Sequence, residues 1–121
     1  MGRGTILVVD DDRDVREVLR DILEADGFAV ETAADGREGL QKMSSVTGLS
    51  LVLLDLMMPV MSGLELLKAR SVMSGIHAIP VVLLSAYANC ADASDEVAAR
   101  LPKPVEVATL LRVVHRHCLA A

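Results

Sequence analysis

The stretch Leu51–Gly63, LVLLDLMMPVMSG, constrains this chain more than any other. An aliphatic run, Leu51 to Leu54, ends abruptly at a carboxylate, Asp55. A run that short suits a strand buried on both faces rather than a helix. Asp55 then stands at the carboxyl end of that strand, the edge where open parallel sheets build their sites. Taken alone, Asp55 could equally cap the turn that follows. The rest of the chain decides between the two.

Thr5–Val9 is apolar and β-branched, a second buried strand, and it ends at Asp10-Asp11-Asp12. Val15, Val18, Leu19, Ile22 and Leu23 then trace the stripe of an amphipathic helix, with Asp12 as N-cap and Gly27 as its stop. Phe28–Thr32 reads as a strand, and Asp35–Ser45 as a helix with Leu40 and Met43 inward, weakened by Gly36 and Gly39. Gly63–Val72 is expected as a helix with Leu64, Leu67 and Val72 inward, and Ile79–Leu84 as a strand. Ala91–Ala99 has room for a short helix and Arg100–Lys103 for a short strand. Pro104–Leu119 closes the chain as a helix, with Pro104 in its first turn and Val107, Leu110, Leu111, Val114 and Cys118 on one face.

Strands and helices thus alternate without a linker, a repeat or a low-complexity segment. Such alternation predicts an α/β domain, a doubly wound parallel sheet with helices on both faces, spanning residues 1–121. Right-handed crossovers bring every carboxyl strand end to one edge. Asp10 and Asp11, Asp55, Ser85 and Lys103 each follow a different strand, so they converge on that rim. Convergence favours a site over a mere cap at Asp55.

Composition fits one domain and narrows its partners. The chain has 121 residues, 52% hydrophobic but only 2% aromatic, so its core must be aliphatic and methionine-rich. A net charge of −5 argues against direct nucleic-acid binding. Cys90 and Cys118 have no metal-ligand spacing and are expected to be reduced, in a cytoplasmic setting. His77, His115 and His117 form no ligand pair, and Met57, Met58 and Met61 read as packing. No signal peptide or membrane span is evident.

Clustered carboxylates repel one another, and a divalent cation is the natural compensation. All-oxygen ligands favour Mg²⁺ and its relatives, and Mg²⁺ leaves room for phosphate oxygens. One Asp can then act as nucleophile toward a phosphoryl group, with a lysine and a hydroxyl placed to receive its charge.

The chain resembles the receiver domain of two-component response regulators and is similar to the chemotaxis response regulator. The matching motifs are Ile6-Leu7-Val8-Val9-Asp10-Asp11, Asp55 through Gly63, Pro80 through Ala86, and Leu101-Pro102-Lys103-Pro104. The resemblance implies a five-stranded flavodoxin-like sheet of order 2-1-3-4-5. It implies that Asp55 is the phosphoacceptor and that Asp10, Asp11, Asp55 and the Met57 backbone carbonyl hold Mg²⁺. Ser85 and Lys103 would contact the phosphoryl group, and the Lys103–Pro104 peptide would be cis. The implied partner is a sensor histidine kinase or phosphotransfer protein, docking by the first helix, with an unknown output partner or domain. The domain would be a signalling module, not an enzyme. A phosphatase of the aspartate-nucleophile type would need a second acid where Met57 stands. A degenerate receiver, binding its partner without phosphorylation, is the competing expectation.

Two departures touch output rather than chemistry. From Ser85 to Lys103 the chain is about one helical turn shorter than in the family, so the fourth of five helices is shortened. Arg100 stands where the family's switch aromatic would be. Both favour a monomer, or a dimer insensitive to phosphorylation. Met57 and Tyr87, bulky and without an acid or amide, imply a long-lived phosphoryl group. The chain ends just after its last helix, as a stand-alone receiver or a part cut from a larger regulator or hybrid kinase would.

Overall fold

The strands form one parallel sheet because their apolar residues have two faces to bury. The computed structural model describes residues 4–56, 58, 61–62, 65–66, 68–69, 79–85 and 97–118. Strand β1 is Thr5–Val9, β2 is Ala29–Ala33, β3 is Leu49–Asp55, β4 is Val81–Ser85 and β5 is Ala99–Pro102. All pairings are parallel, in the order β2-β1-β3-β4-β5. Helix α1 is Arg13–Ala25, α2 is Gly36–Ser45 and α3 is Val107–His117. Glu65, Leu66, Lys68 and Ala69 are also helical.

Alternation along each strand divides the core. Leu7, Val9, Val52, Leu54, Val81 and Leu83 pack with Met43 of α2 and with Leu66. Ile6, Val8, Leu51, Leu53, Val82 and Leu84 pack with Leu19 and Leu23 of α1 and with Leu110 and Val114 of α3. Each fully buried aliphatic side chain contributes about 1.5–3 kcal/mol. Strand β3, buried at every residue, is the centre of both layers.

Local chemistry sets the helix ends. The Asp12 carboxylate accepts from the amides of Asp14 and Val15, capping α1. At the other end Gly27 takes φ 97°, its N–H donates to the Glu24 carbonyl and the Phe28 N–H donates to the Leu23 carbonyl. That pair is a Schellman closure, which requires a left-handed residue at Gly27. Asp35 caps α2 through the Glu38 amide, and the Glu38 carboxylate accepts from the Ala34 amide.

Several expectations need correction. Val97–Ala99 is not helical: the Ala98 N–H donates to the Val81 carbonyl and Ala99 pairs with Val82, so these backbone groups belong to the sheet. Residues 91–96 of the expected short helix lie outside the described residues. Pro104 precedes the last helix instead of opening it, because Glu106 is the N-cap and the first helical bond runs from the Leu110 N–H to the Glu106 carbonyl. Val107 and Val18, expected inward, are 47% and 56% exposed. Leu64, Leu67 and Val72 lie outside the described residues, whereas the helical Leu66 is fully buried. Gly39 is there for proximity: a Cβ would meet Val9 Cγ2 at 2.9 Å and Leu66 Cδ1 at 3.2 Å. Cys118, a free thiol, packs against the α3 side of the core, while Cys90 and His77 lie outside the described residues.

Candidate functional site

Chain topology delivers carboxylates to one end of the sheet. Asp10 directly follows β1, and its amide donates to the Ala33 carbonyl, so the residue is fixed by the ladder and fully buried. Asp11, next along, is exposed. Asp55 is the last residue of β3, opposite Leu84, and 5% exposed. One carboxylate oxygen from each of Asp10, Asp11 and Asp55 lies within 4.8 Å of the others.

A cation holds this cluster together. Lys103, just past β5, places Nζ 2.9 Å from Asp10 Oδ2 and 3.2 Å from Asp55 Oδ1. The Asp10 Oδ1 atom accepts from the Asp12 amide at 2.9 Å. Each Asp10 oxygen thus has one such partner, and an ionised carboxylate keeps further lone pairs for a metal ion. The Lys103 amide donates to the Ser85 carbonyl at 2.8 Å, tying the lysine to the end of β4. Ser85 is buried, opposite Pro102 in the register. The Lys103–Pro104 peptide is cis.

Burial raises the Asp55 pKa, and the neighbouring charge of Asp10 adds to this; the hydrogen bond and charge of Lys103 act in the opposite direction without cancelling it. Burial alone would lower the Lys103 pKa. Its hydrogen bonds and charge interactions with Asp10 and Asp55 outweigh burial, so its pKa is raised. The lysine stays protonated at neutral pH, and Asp55 remains the incompletely compensated member.

The sequence reading missed one supporting residue. In sequence, Arg16 reads as part of a solvated helix face with Arg13, Glu17 and Arg20. Arg13 and Glu17 do form an exposed pair. Arg16 instead donates from Nη1 to the Asp10 carbonyl at 2.8 Å, bracing the loop that carries the acid pair. Its place one turn into α1 was the available signal, since helical side chains lean back toward the N-terminus. Arg100 is exposed on β5. Met57 and Tyr87 lie outside the described residues.

Oxygen donors beside a half-buried cation suit a hard divalent ion and a phosphoryl group. The model of the response regulator receiver domain matches residues 6–115. A protein of Leptolyngbya boryana, named only as an uncharacterized 14.6 kDa protein, is 37% identical and is covered over 90% of its length by 95% of this chain. Response regulator MprA of Mycolicibacterium vanbaalenii is 41% identical over 110 residues, 88% of this chain and 46% of that protein. A CpxR homolog of Haemophilus influenzae is 46% identical over 67% of this chain, which spans only 34% of that regulator. Among solved structures, chemotaxis protein CheY4 of Vibrio cholerae aligns with a TM-score of 0.85 at 32% identity, covering 94% of this chain and 98% of that one. With its sheet order, its strand-end acids and these relatives, the chain belongs to the response regulator receiver domains of two-component signalling.

Proposed function

We propose that this domain accepts a phosphoryl group on Asp55 from a phosphohistidine donor, with Mg²⁺ held by Asp10, Asp11, Asp55 and the Met57 backbone carbonyl. The observation that carries the proposal is the Lys103 ammonium bonded to both Asp10 and Asp55 within the acid cluster. Asp55 would act as nucleophile, and Lys103 and the Ser85 hydroxyl would receive the charge of the transferred group. Mg²⁺, when bound, would neutralise charge on the phosphoryl oxygens. Bond formation at Asp55 would shift Ser85 and the following loop, a change read by an output partner or domain. With a phosphohistidine donor, the domain would work in the cytoplasm. No helix among the described residues is long and apolar enough to cross a membrane.

A small phosphodonor should add one phosphoryl group to the protein in the presence of Mg²⁺, seen as an intact-mass increase, and a chelator should prevent it. Unchanged labelling in the chelator would remove the metal from the mechanism. Asp11→Ala should weaken Mg²⁺ binding by about tenfold, about 1.4 kcal/mol, net of the repulsion it relieves. A titration in which this variant binds as tightly as the parent would contradict the ligand assignment.

The donor's approach is supported by a groove of about 290 Å³ between α1 and α3, walled by Val15, Val18, Ile22, Pro104 and Val107. Lys103 belongs to the same wall, so a helix seated there would reach the site. Val18→Glu should slow transfer from a phosphohistidine protein by about tenfold, as loss of an apolar anchor does. Labelling by a small phosphodonor should be unaffected. An equal loss with both donors would argue against docking in this groove.

A further inference from the structure

Among the described residues, helix α2 meets the chain that follows Asp55 at a close backbone contact. The Gly36 N–H donates to the Met61 carbonyl at 3.2 Å. A Cβ at Gly36 would stand 2.4 Å from that oxygen and 3.0 Å from both the carbonyl carbon and Cβ of Met61. Glycine here is not explained by helix propensity, since Ala is favoured by about 1 kcal/mol in a helix. Nor is it explained by backbone conformation, because the glycines with positive φ are Gly4, Gly27 and Gly48. Close approach is the remaining reason.

The contact closes a tether. Where the loop starts, the Leu56 N–H donates to the Leu84 carbonyl at 3.1 Å. Beyond Met61, the Ser62 amide donates to Glu65 Oε1 and the Glu65 amide to Ser62 Oγ, both at 3.2 Å. Helix α2 has little freedom to yield: Asp35 caps it, Gly39 packs on Val9 and Leu66, and Lys42 Nζ donates to the Thr32 carbonyl. A side chain at position 36 would therefore push the loop.

We propose that Gly36 is a positioning residue for phosphoryl transfer: its bare backbone seats α2 on the Met61 carbonyl and thereby sets the course of the chain leaving Asp55. The inference rests on the reading of Asp55 as phosphoacceptor. A misplacement of about 1 Å in a positioned site can cost about 10²-fold, so the loop's course governs both metal affinity and rate.

The test compares the parent, Gly36→Ala and Gly39→Ala by Mg²⁺ titration, labelling with a small phosphodonor, and thermal unfolding in chelator. Gly36→Ala should bind Mg²⁺ about tenfold more weakly and label about tenfold more slowly. Gly39→Ala, whose Cβ meets core side chains, should lose stability but keep Mg²⁺ affinity within about twofold. A Gly36→Ala variant matching the parent in both readouts overturns the inference, as does an equal loss in Gly39→Ala. A second arm uses the parent alone. By reciprocity, Mg²⁺ must strengthen the contact that strengthens its own binding. Exchange of the Gly36 amide should slow on Mg²⁺ addition, whereas the Gly39 amide, bonded to the Asp35 carbonyl at 3.0 Å, should not respond. No change at Gly36 overturns the inference even if the variants do not fold. A parent that neither binds Mg²⁺ nor labels overturns the reading of the site, and this inference with it.

Discussion

Asp55→Asn is expected to raise the stability of the metal-free protein at pH 7, by about 1–3 kcal/mol, the range for a buried polar group left without full compensation. Asp55 is nearly inaccessible, and its pKa is raised by burial first and by the charge of Asp10 next. A raised pKa means that the folded state holds the proton more tightly than the unfolded chain. The contribution to stability is thus fully present below the unfolded value of 3.8 and is lost as pH rises through the folded value. Asn carries no charge at any pH and escapes that loss. The gap between variant and parent should be widest near neutrality and should close as the pH falls below 3.8. Denaturant unfolding across that range checks it. A variant less stable than the parent at pH 7, or a gap independent of pH, would contradict the electrostatic account.

Lys103→Met should act in the opposite direction and more strongly. It keeps the aliphatic stem but removes the ammonium that bonds both Asp10 and Asp55. Leaving buried carboxylates without their cation typically costs about 3–5 kcal/mol. The lysine's own pKa is raised by these partners against the effect of burial, so its contribution is present below 10.5 and lost only as pH rises through the higher folded value. At neutral pH the full loss should therefore appear, and it should shrink in acid as Asp55 takes up its proton. Combining Lys103→Met with Asp55→Asn should recover part of the loss, because the two side chains touch and their effects will not add. Phosphoryl uptake by Lys103→Met should fall by roughly 10²-fold, as when one charge-stabilising donor is removed. Equal stability of Lys103→Met and parent at pH 7 would show that the acid cluster is held by something else.

What was legible in the sequence was set by short-range rules. Thr5–Val9 reads as a strand from its residues alone, Asp12 caps the helix that its carboxylate permits, and Gly27 ends it because φ 97° suits glycine. Parallel topology then brings Asp10, Asp11, Asp55, Ser85 and Lys103 to one edge, since each stands at or just past the end of a strand. What the sequence concealed depends on tertiary contact. Arg16 looks like any solvated arginine until the Asp10 carbonyl is placed before it. Gly36 and Gly39 count as helix-weakening residues until Met61 and Val9 come within reach. Leu66, which the expected stripe of Leu64, Leu67 and Val72 does not name, is fully buried, while those three lie outside the described residues. Val97–Ala99 has helix-compatible composition, yet its backbone bonds to β4.

The most direct test of the central claim is to locate the phosphoryl group. After incubation with a small phosphodonor and Mg²⁺, borohydride reduces an aspartyl phosphate to the alcohol, and tandem mass spectrometry reads its position. The account predicts conversion at Asp55 alone, none without Mg²⁺, and none in Asp55→Asn. Conversion at another acidic residue of the parent, or labelling of Asp55→Asn to the parent's extent, would contradict it.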